Sequence, residues 1–398
     1  MPSARARGIL DDLRSCRAEM YESLERLVMA ESPSVDPASQ ADVQAALTQE
    51  LEANGFRVRR LPGRKTGGHL LAVPKVRHRN QPIQALIGHC DTVWPRGTLS
   101  SMPITIRAGH MTGPGIYDMK GGLVLMMFAL RALANQGLEP EVLPVVLINS
   151  DEEIGSGESR RSVERLAKIA DRVFVLEPAM GETGALKTAR KGVGQFRVRV
   201  SGKAAHAGLE PSQGVSAILE LSHVVQKLFA LNDPEVGITV NVGTIDGGMR
   251  PNVVAPESTA EVDVRVLTTQ QARQVEEAIR RLEPETPGAV LQVEGDLDIP
   301  PLERTPRNRL LWHRAQKVAS ELDMELEECL AGGGSDGNVA SLHAPTLDGL
   351  GPVGAGAHAA HEYIVLDSMV ERGALLALLL LEPPLNWQAE LESRAERE

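Results

Sequence analysis

Three consecutive acids, Asp151, Glu152 and Glu153, follow the apolar run Val145-Val146-Leu147-Ile148. A short apolar run bounded by polar residues reads as a buried strand, and open α/β sheets place their chemistry just beyond the carboxyl ends of strands. Adjacent side chains on an extended chain point to opposite sides, so Glu152 and Glu153 suit different jobs, one holding a metal and the other moving a proton. A solvated turn has the same composition, so the assignment depends on what else the chain supplies.

It supplies five more residues of the right type. His89 and Asp91 are one residue apart after another apolar run, in Gly88-His89-Cys90-Asp91-Thr92. A metal-bound imidazole normally donates its second nitrogen to a carboxylate or carbonyl, and Asp91 reaches it if the backbone turns. Asp118 lies in Gly113-Pro114-Gly115-Ile116-Tyr117-Asp118-Met119-Lys120-Gly121-Gly122, where the glycines mark a tight loop feeding a helix. Glu177 precedes Pro178, and His358 has a neighbouring rival in His361. Singly, each of these also suits a turn. Together, His89, Asp118, Glu153, Glu177 and His358 have the make-up of a two-zinc carboxylate-imidazole site, four at predicted strand ends and one opening a helix. Two such ions need a bridging carboxylate, nitrogen and oxygen ligands, and an open position for water. One base must stay off the metal, and Glu152 is available.

The elements that would carry these residues read as follows. Residues 1–55 give two helices, the second starting at Asp36-Pro37 and ended by Gly55. Strands follow at 56–61, 69–74 and 83–89, then a helix at 123–133, the strand before the acids, a helix at 159–170 and a strand at 173–176. From Gly192 the strands alternate polar and apolar, at 195–200, 238–245, 258–266 and 290–297, with helices at 215–231 and 269–282. Alternation implies a half-exposed antiparallel sheet, unlike the continuous apolar strands before it. Helices return at 308–321 and from Asp367, and a charged tail at 383–398 has little to bury. The expected fold is therefore α/β, a mixed, mainly parallel sheet flanked by helices, with an inserted α+β domain. Its parts are residues 1–190, the insertion 191–302, and 303–398.

Composition narrows the function classes. A formal net charge of -11 over 398 residues disfavours nucleic acid and anionic membrane as partners. Three scattered cysteines, Cys16, Cys90 and Cys329, imply no disulfide framework and a reducing, cytoplasmic setting. The first 21 residues lack the apolar core of a signal peptide, and the apolar run at 374–381 is too short to span a bilayer. The triple glycine at Gly332, Gly333 and Gly334 lacks the Gly-Lys-Ser/Thr of a phosphate loop, although its amides, at a predicted helix start, could meet a substrate carboxylate.

With Gly202-Lys203-Ala204-Ala205-His206-Ala207-Gly208 and Gly332-Gly333-Gly334-Ser335-Asp336, the motifs above form an ordered set. That set resembles the zinc-dependent aminoacylase and carboxypeptidase family, peptidase family M20, and looks most like its bacterial glutamate carboxypeptidase branch. The resemblance runs from about residue 20 to 380. It implies that Asp118 bridges two zinc ions per chain, one also held by His89 and Glu177, the other by Glu153 and His358. The family spacing His-Xaa-Xaa-Xaa-Glu-Tyr selects His358 over His361. The resemblance further implies Asp91 as the partner of His89, Glu152 as general base, and a homodimer formed by the inserted domain. His206 would then reach the partner subunit's active site to stabilise the oxyanion, while Asn252 and Arg265 bind the substrate carboxylate. Some glutamate carboxypeptidases carry an arginine just before the triple glycine; Cys329, Leu330 and Ala331 stand there instead, so strict glutamate specificity is not implied.

The expected activity is hydrolysis of the amide bond of an N-acyl amino acid or short peptide with a free carboxylate. The alternatives are an N-acyl amino acid deacylase of the aminoacylase or acetylornithine-deacetylase type, and a non-catalytic binding relative. The last predicts a lost ligand or base, and none is missing.

Overall fold

A computed structural model of the chain describes residues 2–387. Helices α1 (Ala4–Ser15), α2 (Arg17–Met29) and α3 (Gln40–Ala53) lead into strands β1 (Phe56–Leu61), β2 (His69–Pro74) and β3 (Ile83–His89). Two three-residue strands, β4 (Thr105–Arg107) and β5 (His110–Thr112), precede α4 (Gly121–Asn135), β6 (Leu143–Asn149), α5 (Arg160–Ile169) and β7 (Ala170–Val175). Next come β8 (Leu186–Arg190), β9 (Gly192–Ser201), α6 (Ala217–Phe229), β10 (Thr239–Gly247), β11 (Glu257–Val266), α7 (Thr269–Arg280) and β12 (Val290–Ile299). The last elements are α8 (Pro306–Ser320), β13 (Glu328–Ala331), α9 (Asp336–Ala340), β14 (Thr346–Leu347), β15 (Gly354–Ala355), β16 (Tyr363–Val365) and α10 (Ser368–Leu380).

The chain divides into two compact units: residues up to Thr188 with Arg304–Leu330 and those from Ser335 onward, and Ala189–Glu303 with Ala331–Gly334. In the first unit the sheet order is β1-β2-β6-β3-β7-β14. β1, β2 and β6 pair antiparallel, whereas β6, β3, β7 and β14 run parallel. The continuous apolar strands are explained by burial on both faces. Leu86, Val146, Ile148 and Phe174 pack with α4 and α10, while Ala85, Ile87, Leu147 and Val173 pack with Val163 and Leu166 of α5 and Val339 of α9. The register sets His89 beside Asn149 and Ile87 beside Val175, so the carboxyl ends of three strands open on one side of the sheet. A second sheet, β15-β16-β5-β4, is antiparallel throughout.

The second unit is an antiparallel sheet of order β10-β11-β9-β12. Phe196, Val198 and Val200 of β9 and Val262, Val264 and Val266 of β11 face α6 and α7, which accounts for the alternating pattern.

Several expectations need correction. The first 55 residues form three helices, because the chain breaks at Cys16 without a glycine or proline to announce it. The third starts at Gln40, not Asp36-Pro37: the Asp36 carbonyl accepts the Ser39 amide in a turn, and the buried Gln40 side chain donates to the carbonyls of Pro33 (3.2 Å) and Ser150 (2.9 Å). Strands β4, β5, β15 and β16 are two or three residues long, too short for a periodic signal. The run 374–381 is core, since Ala374 to Leu380 on α10 are at most 1% exposed. The tail is not uniformly idle: Leu385 is fully buried and its amide donates to Asp171, while residues 388–398 lie outside the described residues. Among the described residues no helix is long and apolar enough to cross a membrane.

Candidate metal centre

Five segments of the first unit converge at the open ends of β3, β6 and β7. His89 is the last residue of β3, and the Cys90 amide donates to Asn149 O, which pins the chain beyond it to β6. β6 runs into a single tight turn, Glu152–Ile154, closed by Gly155 at φ 91°. Glu177 follows β7 after Leu176, whose amide donates to Ile87 O. Asp118 sits in the turn of residues 116–120 before α4, and His358 in a tight turn at φ 61° after β15.

The side chains meet closely. His89 Nε2 lies 3.2 Å from Asp118 Oδ1, 3.3 Å from Glu177 Oε1 and 3.9 Å from Glu152 Oε2. His358 Nε2 lies 3.0 Å from Glu153 Oε2 and 3.5 Å from Asp118 Oδ2. Asp118 therefore presents a different oxygen to each imidazole. Two donor groups, His89 with Glu152 and Glu177, and His89 with Asp118 and Glu153, each place their ligand atoms within 4.8 Å of one another. Glu153 Oε1 is buried without a hydrogen-bond partner. Imidazole nitrogens, carboxylate oxygens and an orphaned buried carboxylate oxygen fit divalent zinc, and four carboxylates against two imidazoles leave negative charge for it to neutralise.

The electrostatics follow from this crowding. Burial opposes a charge on His89, but Asp118, Asp91 and Glu177 outweigh it and hold the imidazole well above its usual range. Bonds to Asp118 and Glu153 push His358 up to about 10. Burial resists the charge on Asp118, yet His358 and His89 hold its carboxyl far below the usual range. Burial pushes Glu152 well above the usual carboxylate range, with Glu177, Asp336 and Glu153 adding to it against His89. Burial likewise raises Glu153, against His358.

The next layer holds these groups in place. Asp91, fully buried, accepts from Ser34 Oγ (2.7 Å), the Glu152 amide (3.3 Å) and the Glu153 amide (3.2 Å). His89 Nδ1 is nearer the Asp91 carbonyl (3.0 Å) than its carboxylate (3.4 Å), so the backbone turn supplies the closer partner. Three contributors went unread in the sequence. Glu362 gathers four donors around Asp118; Asp336 takes Ser156 Oγ (2.6 Å) and Asn149 Nδ2 (2.5 Å); Lys187 Nζ stands 3.8 Å from Glu177 Oε2. Glu362 left a trace as a marker in the His-to-Tyr spacing and Asp336 as the end of the triple-glycine motif, neither with a role of its own.

The other expected residues lie in the second unit. His206 is exposed and its Nδ1 accepts from the amides of Gly208 and Leu209, both at 3.1 Å. That leaves the Nε2 hydrogen of the neutral ring free to donate. Asn252 is adjacent, its carbonyl accepting the Ala207 amide. Arg265 on β11 holds Asp263 through two bonds of 2.9 Å. Gly333 and Gly334 turn their carbonyls to Arg190 Nη1, at 3.1 and 3.0 Å.

A mixed sheet whose parallel strand ends carry clustered imidazoles and carboxylates defines a metal-dependent hydrolase. Residues 85–382 match the family model for peptidase family M20/M25/M40, and the chain belongs to that family of peptidases and amidohydrolases. It is 29% identical over 373 residues to carboxypeptidase G2 of Pseudomonas sp. (strain RS-16), covering 91% of this chain and 89% of that protein. It is 27% identical over 357 residues to succinyl-diaminopimelate desuccinylase of Bordetella parapertussis, covering 85% and 91%. The crystal structure of aminopeptidase PepT from Bacillus cereus shares the fold, with a TM-score of 0.76 at 22% identity over 92% of this chain and 98% of that one.

Proposed function

We propose that the chain is a dinuclear zinc hydrolase that cleaves the amide bond of an N-acyl amino acid or short peptide with a free carboxylate beside the scissile bond. The observation that most supports this is the Asp118 carboxylate, one oxygen toward His89 and the other toward His358. In this reading His89, Glu177 and Asp118 would hold one ion, and Glu153, His358 and Asp118 the other. Bound there, zinc would activate a water and polarise the scissile carbonyl.

The remaining steps belong to the chain. Glu152, whose Oε2 is 3.9 Å from His89 Nε2, takes a proton from the attacking water and delivers it to the leaving amine. No covalent enzyme intermediate forms. His206, with its Nε2 hydrogen free, acts as the oxyanion donor in the partner subunit of a homodimer formed by the second unit. Asn252, the Gly333 amide and Arg265 take the substrate carboxylate, and Arg265 must exchange Asp263 for it. The carboxypeptidase relative favours peptide-like substrates; the desuccinylase relative, and Cys329-Leu330-Ala331 before the glycine triplet, favour the deacylase alternative.

The test is metal content together with a Glu152→Ala variant on a panel of folate-like acyl-glutamates and acetyl or succinyl amino acids. We expect two zinc ions in both proteins and a loss of about 10²- to 10⁴-fold in turnover for the variant. Unchanged turnover would remove Glu152 as the base, and preference for one half of the panel decides between the two substrate classes.

A further inference from the structure

We propose that Glu362 is the positioning residue that sets the separation of the two sides of the centre, and that occupancy of the second metal position depends on it. The inference rests on the dinuclear reading above. Glu362 is fully buried, and its two oxygens take four N–H donors. Oε2 accepts from the Gly115 amide (2.9 Å) and Trp94 Nε1 (2.9 Å); Oε1 accepts from the amides of Tyr117 (2.8 Å) and Asp118 (3.1 Å). One carboxylate thus collects three amides of the turn that carries Asp118, including the amide of Asp118 itself.

The other end of Glu362 is fixed to His358. The Glu362 amide donates to Ala359 O and the Ala359 amide to Gly356 O, both at 2.9 Å, which closes the turn holding His358 at φ 61°. A Cβ at Gly356 would lie 2.9 Å from Glu362 Cα, so the two ends of the turn are in contact. His358 and Asp118 are far apart in sequence, and Glu362 is the short rigid link between their backbones. Through it the 3.5 Å from His358 Nε2 to Asp118 Oδ2 is held. Asp91 does the corresponding work for the other imidazole, gathering the amides of Glu152 and Glu153 beside His89.

Glutamine is the informative substitution because it preserves volume and inverts one end. Each oxygen faces two donors, so whichever way the amide turns, its NH₂ group points at a pair of N–H groups and two of the four bonds are lost. The Asp118 turn then loosens relative to His358, while His89, Asp91 and Glu177 stay anchored on β3 and beyond β7.

The experiment compares wild type, Glu362→Gln and Trp94→Phe, each stripped of metal and titrated with zinc and, separately, with cobalt. Metal content and the cobalt d–d absorption are read directly, and circular dichroism confirms folding. Glu362→Gln should retain one equivalent and bind the second about 10- to 100-fold more weakly, with only one set of cobalt bands filling at low metal. Trp94→Phe removes one donor and leaves the Tyr117 and Asp118 amides bonded, so it should keep both equivalents. Folded Glu362→Gln protein that binds two ions with wild-type affinity and spectrum overturns the inference alone. Should Glu362→Gln not fold, loss of the second ion by folded Trp94→Phe would do so instead, because the dependence would not run through Oε1. A wild-type chain that takes up fewer than two ions overturns the dinuclear reading and this inference with it.

Discussion

Gly122→Ala tests the geometry of the centre from a distance. Gly122 lies inside α4, and a Cβ built there falls 1.9 Å from Leu176 O, where ordinary contact begins at 3.4 Å. The helix and the end of β7 must therefore separate by about 1.5 Å (3.4 − 1.9). The blocking atom is a backbone carbonyl and cannot rotate away, and α4 is buried from Gly121 to Leu130. Overpacking of this kind costs about 1–3 kcal/mol, and an immovable acceptor places the expected loss near the upper end. The displacement also reaches the chemistry. Asp118 is four residues before Gly122 and Glu177 directly follows Leu176, and both touch His89 Nε2 at 3.2–3.3 Å. A misplacement of about 1 Å can cost about 10²-fold in rate. Turnover at saturating zinc should fall by that order and the urea midpoint should drop. Gly157→Ala, with nothing within 4 Å of its Cβ, should change the unfolding free energy by no more than about 0.5 kcal/mol. A Gly122→Ala protein with wild-type turnover and midpoint would refute the claim that helix-to-strand spacing sets the ligand geometry.

Asp91→Ala leaves Ser34 Oγ and the amides of Glu152 and Glu153 without their buried acceptor, at about 1–3 kcal/mol per orphaned donor. We expect a stability loss of at least about 3 kcal/mol and zinc affinity about 10- to 100-fold lower by chelator competition; an unchanged protein would contradict the packing described. For Glu158, burial opposes the charge, but Thr66 Oγ1 and the amides of Lys65, Arg64 and Thr66 outweigh it and hold the carboxyl below the ordinary glutamate value of 4.5. The sign is that of a depressed acid: its stabilisation is present above pH 4.5 and is lost as the pH falls through the lower folded value. The gap in melting temperature between wild type and Glu158→Gln should therefore narrow below pH 4.5, and a constant gap would refute it.

What was legible in the sequence depended on range. β3, β6 and β7 read clearly because each is an apolar run buried on both faces and ended by a chemically distinctive residue. β4, β5, β15 and β16 did not, because strands of two or three residues are stabilised by their partners and carry no period of their own. Gly121 and Gly122 were read with the glycines of a loop, and that suits Gly113 and Gly115, at φ 158° and 70°. Gly122 is helical, and what excludes a side chain there is Leu176 O, a neighbour that local sequence does not reveal. Glu362 shows the same limit in the site. Its type and spacing were visible, but its four donors come from residues about 245 to 268 positions earlier in the chain.

The three acids after β6 show how neighbouring side chains can be parted by a different physical cause. The extended-chain rule separates Glu152 from Glu153 by placing them on opposite faces, yet the chain is no longer extended there: Glu152–Ile154 is a tight 3₁₀ turn, with about three residues per turn, so successive side chains diverge by about 120°. Three directions are then available to three acids. Glu152 Oε2 is directed to His89 and Glu153 Oε2 to His358. Asp151 turns back to the chain, its Oδ2 accepting the amides of Glu158 (2.7 Å) and Ser159 (3.1 Å) and its carbonyl accepting that of Ser156 (2.7 Å). The rotation of the turn is set from outside it, by Asp91 holding the amides of Glu152 and Glu153 while its own carbonyl meets His89 Nδ1. One residue beyond β3 thus orients an imidazole and the two acids that face it, so a change at Asp91 must disturb both together.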